Sequence, residues 1–200
     1  MDNLQTGDLL LFTGHNTGWF KYLSKMIQYG THSDFSHIGF VLKDPTYINP
    51  NLKGIYVWES GWEGKPDPQD SKVKLGVQIT PINEIITNFK GCKIIKRNLK
   101  YNINPFNSKT LLEIHDVVYN KPYDIFPKDW VEALLRKDSV PQKTDRFWCS
   151  ALVGYIYTKC GILNENTDWS ILRPSDFSLS GENLNYNEGY YLENKETRIL

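Results

Sequence analysis

Short apolar runs fenced by glycine, proline and asparagine fill the first half of the chain, without a regular strand–helix–strand alternation. Leu9–Phe12, Phe35–Leu42, Ile55–Glu59, Gly76–Ile79 and Cys92–Arg97 are too short for amphipathic helices. Gly7 precedes the first run, and turn residues such as Pro45, Pro50 and Gly54 lie between later ones, so they read as strands. Helical spacing comes in separate stretches. Phe20, Leu23 and Ile27 recur through Trp19–Tyr29, and Pro81 opens a short helix through Ile86. Ser108–Tyr119 and Pro127–Lys137 follow polar caps. The clearest helix is Cys149–Cys160, closed by Gly161, and a last strand is expected over Tyr190–Leu192. Strands first and a prominent helix late point to an α+β fold. At 200 residues the chain suits one domain over residues 1–200 with a real core. Glycine, proline and charge dominate Gly61–Lys74, a surface loop long enough to border or cover a site.

Charge narrows the partners. Lys plus Arg equals Asp plus Glu at 23 each, with no long basic run, so nucleic acid is not expected as a partner. The Met1-Asp2-Asn3-Leu4 start lacks a basic region followed by an apolar one, and the apolar runs are too short to span a bilayer. An intracellular, cytoplasmic location is the expectation. Cys92, Cys149 and Cys160 have no close paired spacing, which argues against a disulfide framework or a zinc knuckle.

Three residues nonetheless combine into a chemistry. Cys149 begins the clearest helix, where unpaired backbone N–H groups and the positive end of the dipole favour a thiolate. The same groups could donate to an oxyanion. His37 lies in a strand, and alternation puts it on one face with Gly39 and Val41, the glycine leaving open space beside the imidazole. Glu59 ends the next strand, and a hairpin between the two would bring it near His37, where it could fix the tautomer. Thiol, imidazole and carboxylate are the parts of an activated cysteine nucleophile. Taken singly, each has a plainer reading: a buried structural cysteine, a satisfied strand histidine, an exposed glutamate. Glu63 competes with Glu59 but sits in the loop between Gly61 and Gly64. Cys92 and Cys160 read as structural, and His15, His32 and His115 as having no evident partner. A metal site from His32, His37 and a cysteine matches no defensible spacing.

The order and spacing of several segments carry a resemblance. Gly7-Asp8-Leu9-Leu10-Leu11-Phe12, Phe35-Ser36-His37-Ile38-Gly39-Phe40-Val41 and Tyr56-Val57-Trp58-Glu59-Ser60 come first. Gly76-Val77-Gln78-Ile79-Thr80-Pro81-Ile82, Lys121-Pro122-Tyr123-Asp124, Trp148-Cys149-Ser150-Ala151-Leu152-Val153 and Arg173-Pro174-Ser175-Asp176 follow. Together they resemble the circularly permuted branch of the NlpC/P60 papain-like superfamily, in its YiiX-like group with poxvirus members. Lecithin:retinol acyltransferase-like proteins are more distant relatives. The resemblance implies a permuted papain-like fold with the cysteine helix packed on an antiparallel sheet that carries the histidine. It also implies Cys149 as nucleophile, His37 as general base and acid, and Glu59 as the residue orienting His37. Permutation explains the order His, Glu, Cys. Ser60 stands where a small alanine-like residue is expected, and Asn102–Arg146 looks individual to this chain.

The function expected on these grounds is a thiol hydrolase or acyltransferase cleaving an amide through a thioester, with no cofactor or metal. Its substrate would be a small molecule, peptide or lipid carrying an acyl group. Trp58, Trp62, Trp148 and Tyr123 are candidate walls of an apolar pocket. Two alternatives remain open: lipid-ester chemistry, with Lys21 and Lys25 opposite the apolar face of Trp19–Tyr29 for membrane-surface contact, and a module that binds an acylated or peptidyl ligand without chemistry.

Overall fold

The computed structural model describes residues 3–14, 25, 28–29, 33–124, 144–181 and 184–200. Among these, six strands form one antiparallel sheet: β1 (Leu9–Phe12), β2 (His37–Lys43), β3 (Ile55–Gly61), β4 (Gly76–Pro81), β5 (Ile94–Tyr101) and β6 (Tyr190–Arg198). Their order across the sheet is β4-β3-β2-β1-β5-β6. Three α-helices accompany it: α1 (Ile82–Asn88), α2 (Ser108–Val118) and α3 (Cys149–Lys159). The fold is α+β. The expected helices over Trp19–Tyr29 and Pro127–Lys137 lie wholly or mostly outside the described residues.

Alternation along the strands builds two apolar layers. Leu9, Leu11, Ile38, Phe40, Leu42, Trp58 and Ile79 share a core with α2 and α3. Leu10, Phe12, Val41, Val57 and Ile94 face the other way, under Ile82 and Ile85 of α1 and under Phe89. Helix α3 is buried along Cys149–Tyr157, on all sides rather than along one stripe. A Cβ on Gly154 would stand 2.9 Å from Trp169 Cβ and 2.7 Å from Leu172 Cδ1, so glycine there lets the Trp169–Ile171 turn lie against the helix. Gly161, with φ +70°, closes α3 as expected.

Two strands run longer than their apolar patterns. β5 continues to Tyr101 and β6 to Arg198 because they pair with each other, with Tyr101 opposite Tyr190 and Arg97 opposite Glu196. Polar residues joined this ladder through tertiary pairing that an apolar count does not register. Buried Arg97 donates to the Phe177 carbonyl at 2.9 Å and the Glu193 carbonyl at 3.1 Å.

The loop after β3 is tied down by its own polar groups. Buried Asp67 accepts from Lys74 Nζ (2.9 Å), Gln69 Nε2 (2.6 Å) and the Ile79 backbone N–H (3.3 Å). Asp70 pairs with Lys74 at 2.8 Å and accepts from Tyr119 Oη at 2.8 Å. This network fastens the loop to both β4 and the end of α2.

Candidate active site

Strand register puts His37 and Glu59 on one face. The β2–β3 ladder runs from Lys43↔Ile55 to Phe40↔Trp58, whereas β1–β2 pairs continue to His37 and β3–β4 pairs to Gly61. Beyond Phe40 and Trp58 the two strands therefore part, and His37 and Glu59 occupy the parting ends. They are diagonal neighbours, a relation long side chains can span. His37 Nε2 lies 2.7 Å from Glu59 Oε2, with the glutamate side chain wholly buried and the imidazole 14 % exposed. Thr80 Oγ1 donates to the other glutamate oxygen at 2.7 Å, fixing the carboxylate's plane. The imidazole packs against the touching rings of Phe12, at 5.2 Å, and Phe89, at 5.9 Å.

The open space beside the imidazole is not where the sequence placed it. A Cβ on Gly39 would meet Val57 Cγ1 at 2.3 Å, so a β-branched neighbour fills that position. Gly61 provides the room instead: its Cβ would stand 3.4 Å from His37 Cε1 and 3.9 Å from Nε2.

Cys149 completes the group. It is the first residue of α3, and the extended Trp148 before it supplies no side-chain cap. An indole is a donor only, so Trp148 cannot accept from the first-turn N–H groups and leaves them available to an acceptor other than its own side chain. The Cys149 side chain is close enough to the His37 imidazole to act on its protonation. Because Nε2 is held by Glu59, Nδ1 is the nitrogen left for the sulfur. Burial acts to depress the imidazolium, but the charge and hydrogen bond of Cys149, followed by those of Glu59, outweigh it and raise His37 to about 10. Tyr123 is pushed well above its ordinary value by burial first and then by the negative charges of Cys149 and Asp124.

Other sequence readings resolve differently. Glu63, assigned to the loop, is turned back toward the site, and its Oε2 accepts from Asn88 Nδ2 at 2.5 Å. Burial, then the Glu59 charge, raise it to about 8, against the opposing influence of Asn88 and His37. His115 has a partner after all: its Nε2 donates to Gln69 Oε1 at 2.7 Å. Of the four candidate pocket aromatics, Trp58, Tyr123 and Trp148 are buried in the same core cluster as Cys149, and Trp62 is exposed. Cys92 and Cys160 lie apart from the group, both raised by burial, Cys160 to about 12. His15 and His32 fall outside the described residues.

The Glu63 titration has a measurable consequence. Folding raises this group from 4.5 to about 8, so between those values the native state binds the proton more tightly than the unfolded chain. The linked stabilisation is complete below pH 4.5 and is lost as pH rises through about 8. Glu63→Gln should flatten the fall of melting temperature across that window and melt higher than wild type near its upper end. Parallel wild-type and variant curves in calorimetry would contradict this.

No family model matches the chain, and no curated protein matches it. Among solved structures it is similar to the metalloprotein YiiX from Escherichia coli O157:H7, at 23 % identity and a TM-score of 0.50. The match covers 78 % of this chain and 66 % of that one, so the chain spans about two thirds of that protein's length. Among the described residues no cluster of three or more His, Cys, Asp or Glu is arranged to hold a metal ion. Nor is any helix of the described residues long and apolar enough to cross a membrane. What the likeness establishes is the fold: this α+β chain is built like YiiX.

Proposed function

We propose that the chain is a thiol-dependent hydrolase or acyltransferase of the permuted papain-like kind, acting on an amide-linked acyl group. The observation that carries this reading is the imidazole of His37, held by Glu59 Oε2 at 2.7 Å on one nitrogen, with Cys149 at the start of α3 near enough to act on its protonation. His37 takes the proton from Cys149 Sγ, and the sulfur attacks the substrate carbonyl carbon. First-turn N–H groups of α3 donate to the oxyanion that forms. His37 then returns its proton to the leaving nitrogen, and the C–N bond breaks to give a thioester at Cys149. Water or another acceptor, deprotonated by the same imidazole, attacks the thioester and releases the thiol. Throughout, Glu59 keeps the ring oriented and offsets the imidazolium charge.

The test is covalent capture. Incubation with a panel of activated N-acyl and O-acyl substrates, read by mass spectrometry, should give a hydroxylamine-labile acyl adduct on Cys149. Cys149→Ala and His37→Ala should both abolish it. Tight retention of an acyl ligand with no adduct would instead support a binding module.

A further inference from the structure

Ser60 replaces the small apolar residue expected after Glu59, and its hydroxyl does something an alanine cannot. It is wholly buried and donates to the Phe147 carbonyl at 2.6 Å, across 87 residues of sequence. Ser60 is the next residue after Glu59 on β3; Phe147 lies two residues before Cys149. One hydrogen bond thus joins the strand carrying the carboxylate to the segment that delivers the thiol.

The remaining anchors of Phe147 take a longer route. Its backbone N–H donates to Pro122 at 3.1 Å, and its carbonyl also accepts from Asp124 N–H at 3.2 Å. That 121–124 segment hangs on the chain at β4, through Val77 N–H to Lys121 (2.9 Å) and Tyr123 N–H to Leu75 (3.1 Å). These bonds place Phe147 relative to β4, the far neighbour of β3. The Phe147 ring is held separately, at 5.5 Å from Tyr155 and 5.6 Å from Trp169. Helix α3 therefore keeps its packing without Ser60. What the hydroxyl adds is the direct spacing between the start of α3 and the parted end of β3, where the imidazole must meet the sulfur.

We infer that Ser60 is a positioning residue that sets the Cys149–His37 approach by clamping the Phe147 carbonyl to β3. This rests on the thiol-enzyme reading above. A small displacement of a reacting group can cost on the order of a hundredfold in rate, so removing one of several anchors should show as about a tenfold effect.

The experiment compares iodoacetamide labelling of each cysteine across pH in wild type, Ser60→Ala and Ser60→Thr, resolved by mass spectrometry, with melting temperatures alongside. The ratio of the Cys149 rate at about pH 6 to that at about pH 9 cancels changes in reagent access and reports the imidazole's influence on the sulfur. In Ser60→Ala this ratio should fall about tenfold, with Cys92 and Cys160 unchanged, and Ser60→Thr, which keeps the hydroxyl, should restore it. A wild-type ratio in Ser60→Ala would overturn the inference while leaving the enzyme reading intact. So would equal acceleration of all three thiols, the mark of general loosening. If wild-type Cys149 itself shows the steep pH dependence of an ordinary thiol, the enzyme reading fails first, and this inference with it.

Discussion

Glu59→Ala is expected to lower acyl turnover by about a thousandfold or more, the scale seen when a carboxylate that orients a catalytic imidazole is lost. The reason is local. Glu59 Oε2 is the acceptor for His37 Nε2 and Oε1 the acceptor for Thr80 Oγ1, both at 2.7 Å. With the carboxylate gone, burial pulls the imidazolium down and only Cys149 pulls it up. The ring also loses the contact that decides which nitrogen carries the proton. Stability should fall by about 1–3 kcal/mol, since buried groups are left without their acceptor. Glu59→Gln keeps shape and loses charge, so it should recover most of the stability and little of the rate. Steady-state kinetics beside urea unfolding check both; a rate within a few-fold of wild type would remove Glu59 from the mechanism.

The largest structural effect is expected at Gly76. This residue has φ +148°, and a Cβ there would stand 2.3 Å from the Lys121 carbonyl, 2.8 Å from Pro122 Cα and 2.9 Å from Tyr123 N. All three obstacles are backbone, so none can swing aside. Gly76→Val should cost about 2–4 kcal/mol by combining strain with a forced separation of β4 from the 121–123 segment. The damage should reach chemistry as well, because this segment holds Phe147, two residues before Cys149, through the Pro122 carbonyl and the Asp124 N–H. Denaturant midpoints and Cys149 labelling in the same variant would test this. A loss of less than 1 kcal/mol would mean the segment can shift at little cost.

Much of this arrangement was legible because it is carried by local pattern. Apolar runs located β1 to β4 within a residue or two, and Gly161 marked the end of α3. Alternation assigned His37 and Val41 to one face, and the hairpin between β2 and β3 brought Glu59 to His37. Contacts between distant segments were not legible. Nothing near Ser60 in sequence announces a carbonyl at Phe147, and nothing near Glu63 announces Asn88 across the loop. Gly39 was misjudged for a related reason: the residue that fills its space, Val57, belongs to the adjacent strand, and which side chain leans over a glycine depends on register and rotamer. The Asp67–Lys74–Asp70 network likewise looked like ordinary loop polarity, since a charge run has the same composition whether solvated or buried.

The central claim, an imidazole coupled to one particular thiol, is tested most directly by comparing iodoacetamide labelling rates of the three cysteines at about pH 6, where an ordinary thiol is almost wholly protonated. Burial raises Cys92 and Cys160 above their ordinary value, so they serve as internal references for unassisted thiols. Cys149 should label far faster than either, and His37→Ala should erase that advantage. Labelling of Cys149 no faster than that of Cys92 or Cys160, and indifferent to His37→Ala, would contradict the account.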